Sequence, residues 1–97
     1  MSRGFALYEL GEFQKASEEW SAAVRLNSRE AFAHAALAVG LYEVGKVDDA
    51  KTEYDVALAL DLRYAEPTNM RIDIRWTSRA LQTARRLTEL LRTEPRP

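Results

Sequence analysis

Apolar residues recur at helical spacing through the middle of the chain. Successive members lie four, one, four and three positions apart: Phe32, Ala36, Leu37, Leu41 and Val44. This spacing predicts a helix with one apolar face. Gly45 is expected to end the helix, because glycine readily adopts the left-handed conformation at a helix C-terminus.

A second helix is predicted directly after this one. Asp48 and Asp49 stand in its first turn, where negative charge opposes the positive end of the helix dipole. Its apolar positions again recur at helical spacing, at Val47, Ala50, Tyr54, Ala57, Leu58 and Leu60. The two stretches are therefore predicted to form one helical hairpin.

The same pattern occurs 34 residues earlier. Residues 7–27 and 41–61 are identical at 8 of 21 positions. The first members of these identical pairs are Leu7, Tyr8, Glu9, Gly11, Ala16, Glu19, Ala23 and Leu26. Chance would give about one or two matches at ordinary residue frequencies. The chain therefore contains an internal repeat, and each unit is predicted to be two helices.

The period and the residue pattern resemble the tetratricopeptide repeat family. The likeness rests on Ala16-x3-Trp20-x2-Ala23 and on the matching Ala50-x3-Tyr54-x2-Ala57, and it covers residues 1–64. Departures from the family pattern are His34, Ala38, Ser28 and Leu62. The resemblance implies an all-α fold, in which about six helices form antiparallel pairs in a right-handed superhelical stack with a C-terminal capping helix.

The whole chain, residues 1–97, is expected to be one such domain. Residues 1–30 are a repeat that lacks its first four positions, as expected for a short protein with a blunt first helix or for a piece of a longer array. Residues 31–64 are a complete repeat. Residues 65–97 are a degenerate helix pair of similar length.

The degenerate pair is predicted to hold a short helix over 66–75 and a longer helix that caps the stack. Thr77 and Ser78 are good N-cap residues for the longer helix, which continues to about residue 92. Its apolar stripe is Leu81, Ala84, Leu87, Leu90 and Leu91. The segments 62–64 and 76–78 are similar to the endings of short bacterial, especially cyanobacterial, members of the family.

Composition narrows the possible functions. The chain has 97 residues, of which 46% are hydrophobic and 30% charged, as in ordinary globular domains. The absence of Cys excludes disulfides and thiolate metal sites. No apolar run approaches the roughly 18 residues that span a bilayer. We expect a cytoplasmic protein, or one held peripherally on a membrane complex.

The net charge of −1 conceals an uneven distribution. Residues 1–70 carry 7 basic and 12 acidic residues, a balance of −5, whereas residues 71–97 carry 7 arginines and 3 acids, a balance of +4. Parts of opposite sign suggest surfaces with different partners.

No pattern typical of catalysis is found, so we expect no enzyme, no metal and no cofactor. The serines have only His34 as a possible partner, and none stands in the turn sequence of a serine nucleophile. Adjacent carboxylates such as Asp48 and Asp49 diverge by about 100° on a helix, which favours a solvated face. His34, in an apolar helix, is expected to be a packing residue rather than a ligand or base.

The resemblance implies a partner-binding groove on the concave face, formed by the first helix of each unit. Carried over by position, its residues are Phe5, Tyr8, Glu9, Phe32, Ala35, Val39, Tyr42 and Glu43. Such a groove suits a partner protein or peptide with apolar anchors and a basic residue near Glu9 or Glu43. The alternative is that these rings only pack between repeats.

The arginine-rich end offers a secondary basic surface of Arg79, Arg85, Arg86 and Arg92. This surface is either a solvated face of the cap or a contact for an acidic partner. Nucleic acid is not expected, because no basic-aromatic interleaving occurs. The alternative function is a structural subunit or assembly factor of a larger complex, including a membrane-associated or photosynthetic one. It would dock by its arginine helix or by a blunt N-terminal end around Phe5, Leu7 and Phe13, or self-associate.

Overall fold

A computed structural model describes residues 2–66 and 78–93. These residues form five α-helices and one short 3₁₀ helix and contain no strand: α1 (Ser2–Glu9), α2 (Phe13–Leu26), α3 (Ala31–Glu43), α4 (Val47–Leu60), η1 (Leu62–Ala65) and α5 (Ser78–Thr93). The predicted all-α class is therefore confirmed for the described residues. The short helix predicted over 66–75 and the predicted cap at Thr77 lie outside them, apart from Glu66.

The two glycines predicted to end helices do so with the same geometry. Gly11 and Gly45 have φ values of 80° and 88°, in the left-handed region that favours glycine. After α1, the N–H of Glu12 donates to Leu7 O at 2.9 Å, and after α3 the N–H of Lys46 donates to Leu41 O at 2.9 Å. These bonds satisfy carbonyls at each helix end and return the chain for the next helix.

The repeat extends into the turns that follow α2 and α4. Each helix ends at an acidic or amide residue in extended conformation, Asn27 or Asp61. The side chain of Asn27 accepts a hydrogen bond from the N–H of Arg29 at 3.2 Å, and Asp61 accepts one from the N–H of Arg63 at 3.0 Å. Side-chain bonds to a backbone N–H two residues ahead fix such turns.

Small residues allow neighbouring helices to approach closely around one large ring in each unit. Ala16, Ala50 and Ala57 are fully buried, and so are the rings of Trp20 and Tyr54. Ala23, the repeat equivalent of Ala57, is only partly buried. In the core, α2 packs between α1 and α3, and α3 packs against α4. A large ring beside small side chains fills the space between helices at native density.

Trp20 also depends on two glycines that the repeat pattern did not single out. A Cβ placed on Gly4 of α1 would lie 2.3 Å from Trp20 Nε1, and a Cβ on Gly40 of α3 would lie 3.2 Å from Trp20 Cε3. The ring therefore lies where a side chain would otherwise stand on α1. Its Nε1 is buried and has no acceptor among the described residues.

Two leucines predicted to belong to apolar helix faces are exposed. Leu26, the last residue of α2, is 89% exposed, and Leu60, the last residue of α4, is 42% exposed. Periodicity placed both on an apolar stripe, but a helix end projects beyond its neighbours, so no element covers the stripe there. Leu26 therefore does not belong to the buried face of α2, where periodicity had placed it.

The longer helix predicted to continue to about residue 92 is confirmed as α5, which packs against both α3 and α4. Its buried face consists of Ala80, Thr83, Ala84, Leu87 and Thr88. Leu90 and Leu91, predicted on the same stripe, are only partly buried. The 3₁₀ helix η1 lies against α4, where the buried Tyr54 hydroxyl donates to Tyr64 O at 2.7 Å.

Candidate partner-binding surfaces

Three of the residues expected on the concave face lie in the core. Tyr8, Ala35 and Val39 are 3%, 0% and 1% exposed, respectively. Tyr8 packs against Phe13 and Trp20, with ring centroids 5.1 and 5.9 Å apart. These three residues have too little free surface to contact a partner in this conformation, so their placement on an open groove is corrected. Tyr8, Ala35 and Val39 instead pack between helices.

The other expected apolar residues keep part of their surface. Phe5 of α1 stacks on Phe32 of α3, with ring centroids 5.8 Å apart and an interplanar angle of 24°. Both rings are half-buried, as is Tyr42, whereas Glu9 is exposed. Glu9 is one helical turn from Phe5, so the acid and the ring share one face of α1.

Glu43 is the centre of a polar cluster that joins three helices. The guanidinium of Arg79, on α5, forms two hydrogen bonds to the Glu43 carboxylate. Its Nε donates to Oε2 at 2.9 Å, and its Nη2 donates to Oε1 at 3.2 Å. Thr83 donates to Oε2 at 3.1 Å, and the Tyr8 hydroxyl donates to the same oxygen. The Glu43 side chain is only 8% exposed. The Glu43 carboxylate was expected to bind a basic residue of a partner, but it is bound by residues of this chain.

Burial and hydrogen bonding oppose each other in their effect on the pKa of Glu43 but act together on the pKa of Tyr8. Burial by itself raises the pKa of Glu43, but the hydrogen bonds from Arg79, Tyr8 and Thr83 favour the ionised carboxylate and leave its pKa below the ordinary value. Burial, and then the hydrogen bond to Glu43, raises the pKa of the Tyr8 hydroxyl. Tyr8 therefore stays a donor and Glu43 an anion at neutral pH.

The four arginines expected to form a basic surface do not act as one. Arg79 binds Glu43 and lies 4.8 Å from the centroid of the Phe13 ring. At the other end of α5, Arg92 donates to Ala65 O at 3.2 Å. These two arginines link α5 to the rest of the molecule, while their side chains stay 64% and 61% exposed.

Two arginines of α5 remain on its exposed side. Arg86 lies 3.5 Å from Glu89 on the next turn. Arg85 is exposed, and its side chain has no ion pair or hydrogen bond within the described part of the chain. Of the four arginines predicted to form the basic surface, Arg85 therefore lacks an ion pair within the described ranges, and Arg86 is partly neutralised.

His34 bridges two parts of the second unit, which fits the packing role expected for it. Its Nδ1 lies 2.8 Å from Glu53 Oε1 on α4, and its Nε2 lies 2.7 Å from Ser28 O in the turn before α3. The ring is 6% exposed. Both nitrogens are engaged by structural partners.

A groove that the sequence did not predict runs between α2 and α4, with α3 as its floor. Its volume is about 330 Å³. Leu37 and Leu41 lie on the floor, and Glu18 of α2 and the acids Asp49 and Glu53 of α4 also line the groove. The sequence feature that could have indicated this groove is the pair Asp49 and Glu53, which are four residues apart and therefore share one face of α4. We call this the α2–α4 groove.

The described ranges, 2–66 and 78–93, contain no group of three His, Asp or Glu side chains that could hold a metal ion. They also contain no helix long and apolar enough to cross a membrane.

Comparison with known proteins identifies no family for this chain. No protein-family model matches the chain, and no curated protein or solved structure matches it. What the described residues define is the class, an all-α protein built on a 34-residue repeat.

Proposed function

We propose that this chain is a non-enzymatic protein-interaction module of the tetratricopeptide type. In this proposal α1 to α4 are two antiparallel pairs of a right-handed superhelical stack, and α5 caps it. The repeated end turns at Gly11 and Gly45 and the repeated small residues support the assignment.

The observation that carries the binding role is the half-exposed stack of Phe5 on Phe32. It joins the first helices of two units, and Glu9 and Tyr42 belong to the same predicted face. Aromatic rings beside an exposed acid suit a peptide with an apolar anchor and a basic residue. The predicted concave face is thereby narrowed to Phe5, Glu9, Phe32 and Tyr42.

A binding role rather than catalysis is supported by the contacts of two largely buried ionisable side chains, Glu43 and His34. Glu43 has both oxygens in hydrogen bonds, and His34 has both ring nitrogens beside acceptors. Each group links separate elements of the fold and has no remaining position from which to act on a substrate.

The proposal is tested with matched baits in extracts of the native host. We expect the double variant Glu9→Arg with Tyr42→Ala to lose a partner that the unchanged chain retains, because Glu9 is exposed and Tyr42, although packed against the core, keeps part of its surface free. Arg85→Gln with Arg86→Gln serves as the matched control and is expected to keep that partner. Loss of the partner only from the arginine variant would contradict binding by the concave face.

Docking by an end of the stack, or self-association, is the second candidate. The observation in its favour is Leu10, which follows α1 and is 74% exposed. Phe5, Leu7 and Phe13, the residues expected at this end, are partly buried against the core. Phe32 and Tyr42 of the predicted concave face are partly buried in the same way. Sedimentation would decide the point: a dimer that Leu10→Ser dissociates would favour this candidate over the first.

A further inference from the structure

The α2–α4 groove lies on different residues from the predicted concave face. Its walls come from α2 and α4, and its floor from one side of α3. At about 330 Å³ it is large enough for a long side chain with its flanking backbone. What it can hold follows from the chemistry of its floor and walls.

The floor of the groove is aliphatic. Leu37 and Leu41 are one helical turn apart on α3 and both line it. An aliphatic floor below polar walls favours an amphipathic side chain, whose carbon stem lies on the leucines while its polar head stays at the rim.

The walls carry an excess of negative charge. Asp49 and Glu53 stand one turn apart on α4, and Glu18 stands on α2, against a single cation, Lys46. Glu53 already faces His34, and Glu18 accepts a hydrogen bond from Gln14 at 3.2 Å. Asp49 forms no ion pair or hydrogen bond with any residue in the described ranges, so its carboxylate is free to bind a ligand.

From this complementarity we propose that the α2–α4 groove binds an arginine side chain presented by an exposed segment of a partner protein. The planar guanidinium donates in a fork that matches carboxylates on α4 and α2, and its three methylenes cover Leu37 and Leu41. An acidic ligand would instead meet three carboxylates. This site is independent of the predicted concave face, and either can fail without the other.

The test compares two synthetic peptides against the full chain with labelled leucine methyls. One peptide is acetyl-Gly-Arg-Gly-Arg-Gly-amide, and the other carries citrulline, the neutral analogue of similar shape, in place of arginine. The methyl resonances of Leu37 and Leu41 are expected to shift saturably with the arginine peptide. The citrulline peptide is expected to bind about tenfold more weakly, because it lacks charge-assisted hydrogen bonds.

Neighbouring aspartates provide a matched pair of variants. Asp49→Asn is expected to weaken the arginine peptide about two- to fivefold, the range for a solvated ion pair. Asp48→Asn removes the same charge from the same helix turn, but Asp48 is outside the groove and faces Lys51 at 3.6 Å. It is expected to leave the affinity unchanged.

Three results would overturn the proposal. The first is equal affinity for the arginine and citrulline peptides. The second is an equal effect of Asp48→Asn and Asp49→Asn. The third is concentration-dependent self-association that Arg85→Gln abolishes, since a second copy of this chain would then be the occupant.

Discussion

Trp20 shows how single residues set the distances between helices. Its indole is the largest side chain in the core and packs edge-on to Phe5, with ring centroids 5.2 Å apart. The unpaired Nε1 costs about 1–3 kcal/mol relative to a bonded one. The repeat equivalent Tyr54 avoids this cost, because its hydroxyl reaches Tyr64 O. The first unit therefore relies on ring packing where the second unit adds a hydrogen bond.

At the residue scale, Gly4→Ala is predicted to destabilise the protein by about 1–3 kcal/mol through overpacking. The new Cβ would meet Trp20 Nε1 at 2.3 Å and Cε2 at 2.8 Å. The loss is expected to shrink when Trp20→Tyr is present as well, because the smaller ring leaves room. Chemical denaturation of the two single variants and the double variant measures this coupling. Additive effects of the two changes would show that Gly4 does not set the space for the ring.

At the scale of elements, α5 is held by an apolar face and by an arginine near each end. Arg79 reaches Glu43 of α3, and Arg92 reaches Ala65 of η1. Between them, Leu87 is fully buried. The helix therefore covers apolar surface of α3 and α4, the role that a terminal element would have in the proposed stack.

The docking of α5 is predicted to weaken in acid because of Glu43. Its pKa is lowered in the folded protein, so the stability it supplies is full above the unfolded value, about 4.3, and is lost as pH falls through the folded value. Glu43→Gln is expected to cost about 1–3 kcal/mol at pH 7 and to flatten the fall in stability between neutral and acid pH. Thermal unfolding followed across that range measures both effects. An equally steep pH profile in the variant would refute the assigned role of Glu43.

The contact between α3 and α4 is predicted to depend on the small size of Ala50. This residue is fully buried, and Ala50→Leu is expected to destabilise by about 1–3 kcal/mol because the added carbons have no free space. Ala59→Leu, at an exposed position of the same helix, controls for helix propensity and is expected to change stability by less than about 0.5 kcal/mol. Similar melting temperatures for the two variants would contradict the close approach.

At the scale of the whole molecule, the uneven charge is partly neutralised inside the chain. The acidic repeats and the arginine-rich end meet where Glu43 binds Arg79 and where Arg92 lies 3.8 Å from Glu66. The predicted concave face and the predicted basic surface, which were expected to bind separate partners, therefore contact each other through Glu43 and Arg79. The surfaces proposed to bind partners are the Phe5–Phe32 stack with Glu9 and Tyr42, and the α2–α4 groove.

Local requirements explain which parts of this picture the sequence could predict. The helix ends at Gly11 and Gly45 were predictable because a left-handed backbone conformation favours glycine whatever lies elsewhere in the fold. The binding of Glu43 by Arg79 was not, because it joins residues 36 apart and depends on how α5 docks. Likewise, periodicity placed Leu26 on an apolar face, but it carries no information on whether another helix covers that face.

The central claim is that the chain binds a partner through the side of α1 and α3 that carries Glu9 and Tyr42. The most direct measurement is site-specific photo-crosslinking in the native host, with p-benzoylphenylalanine in place of Tyr42 in one protein and of Arg86 in another. We expect one discrete crosslinked product from position 42 and no product of the same mass from position 86. A partner captured from position 86 alone, or no product specific to position 42, would contradict it.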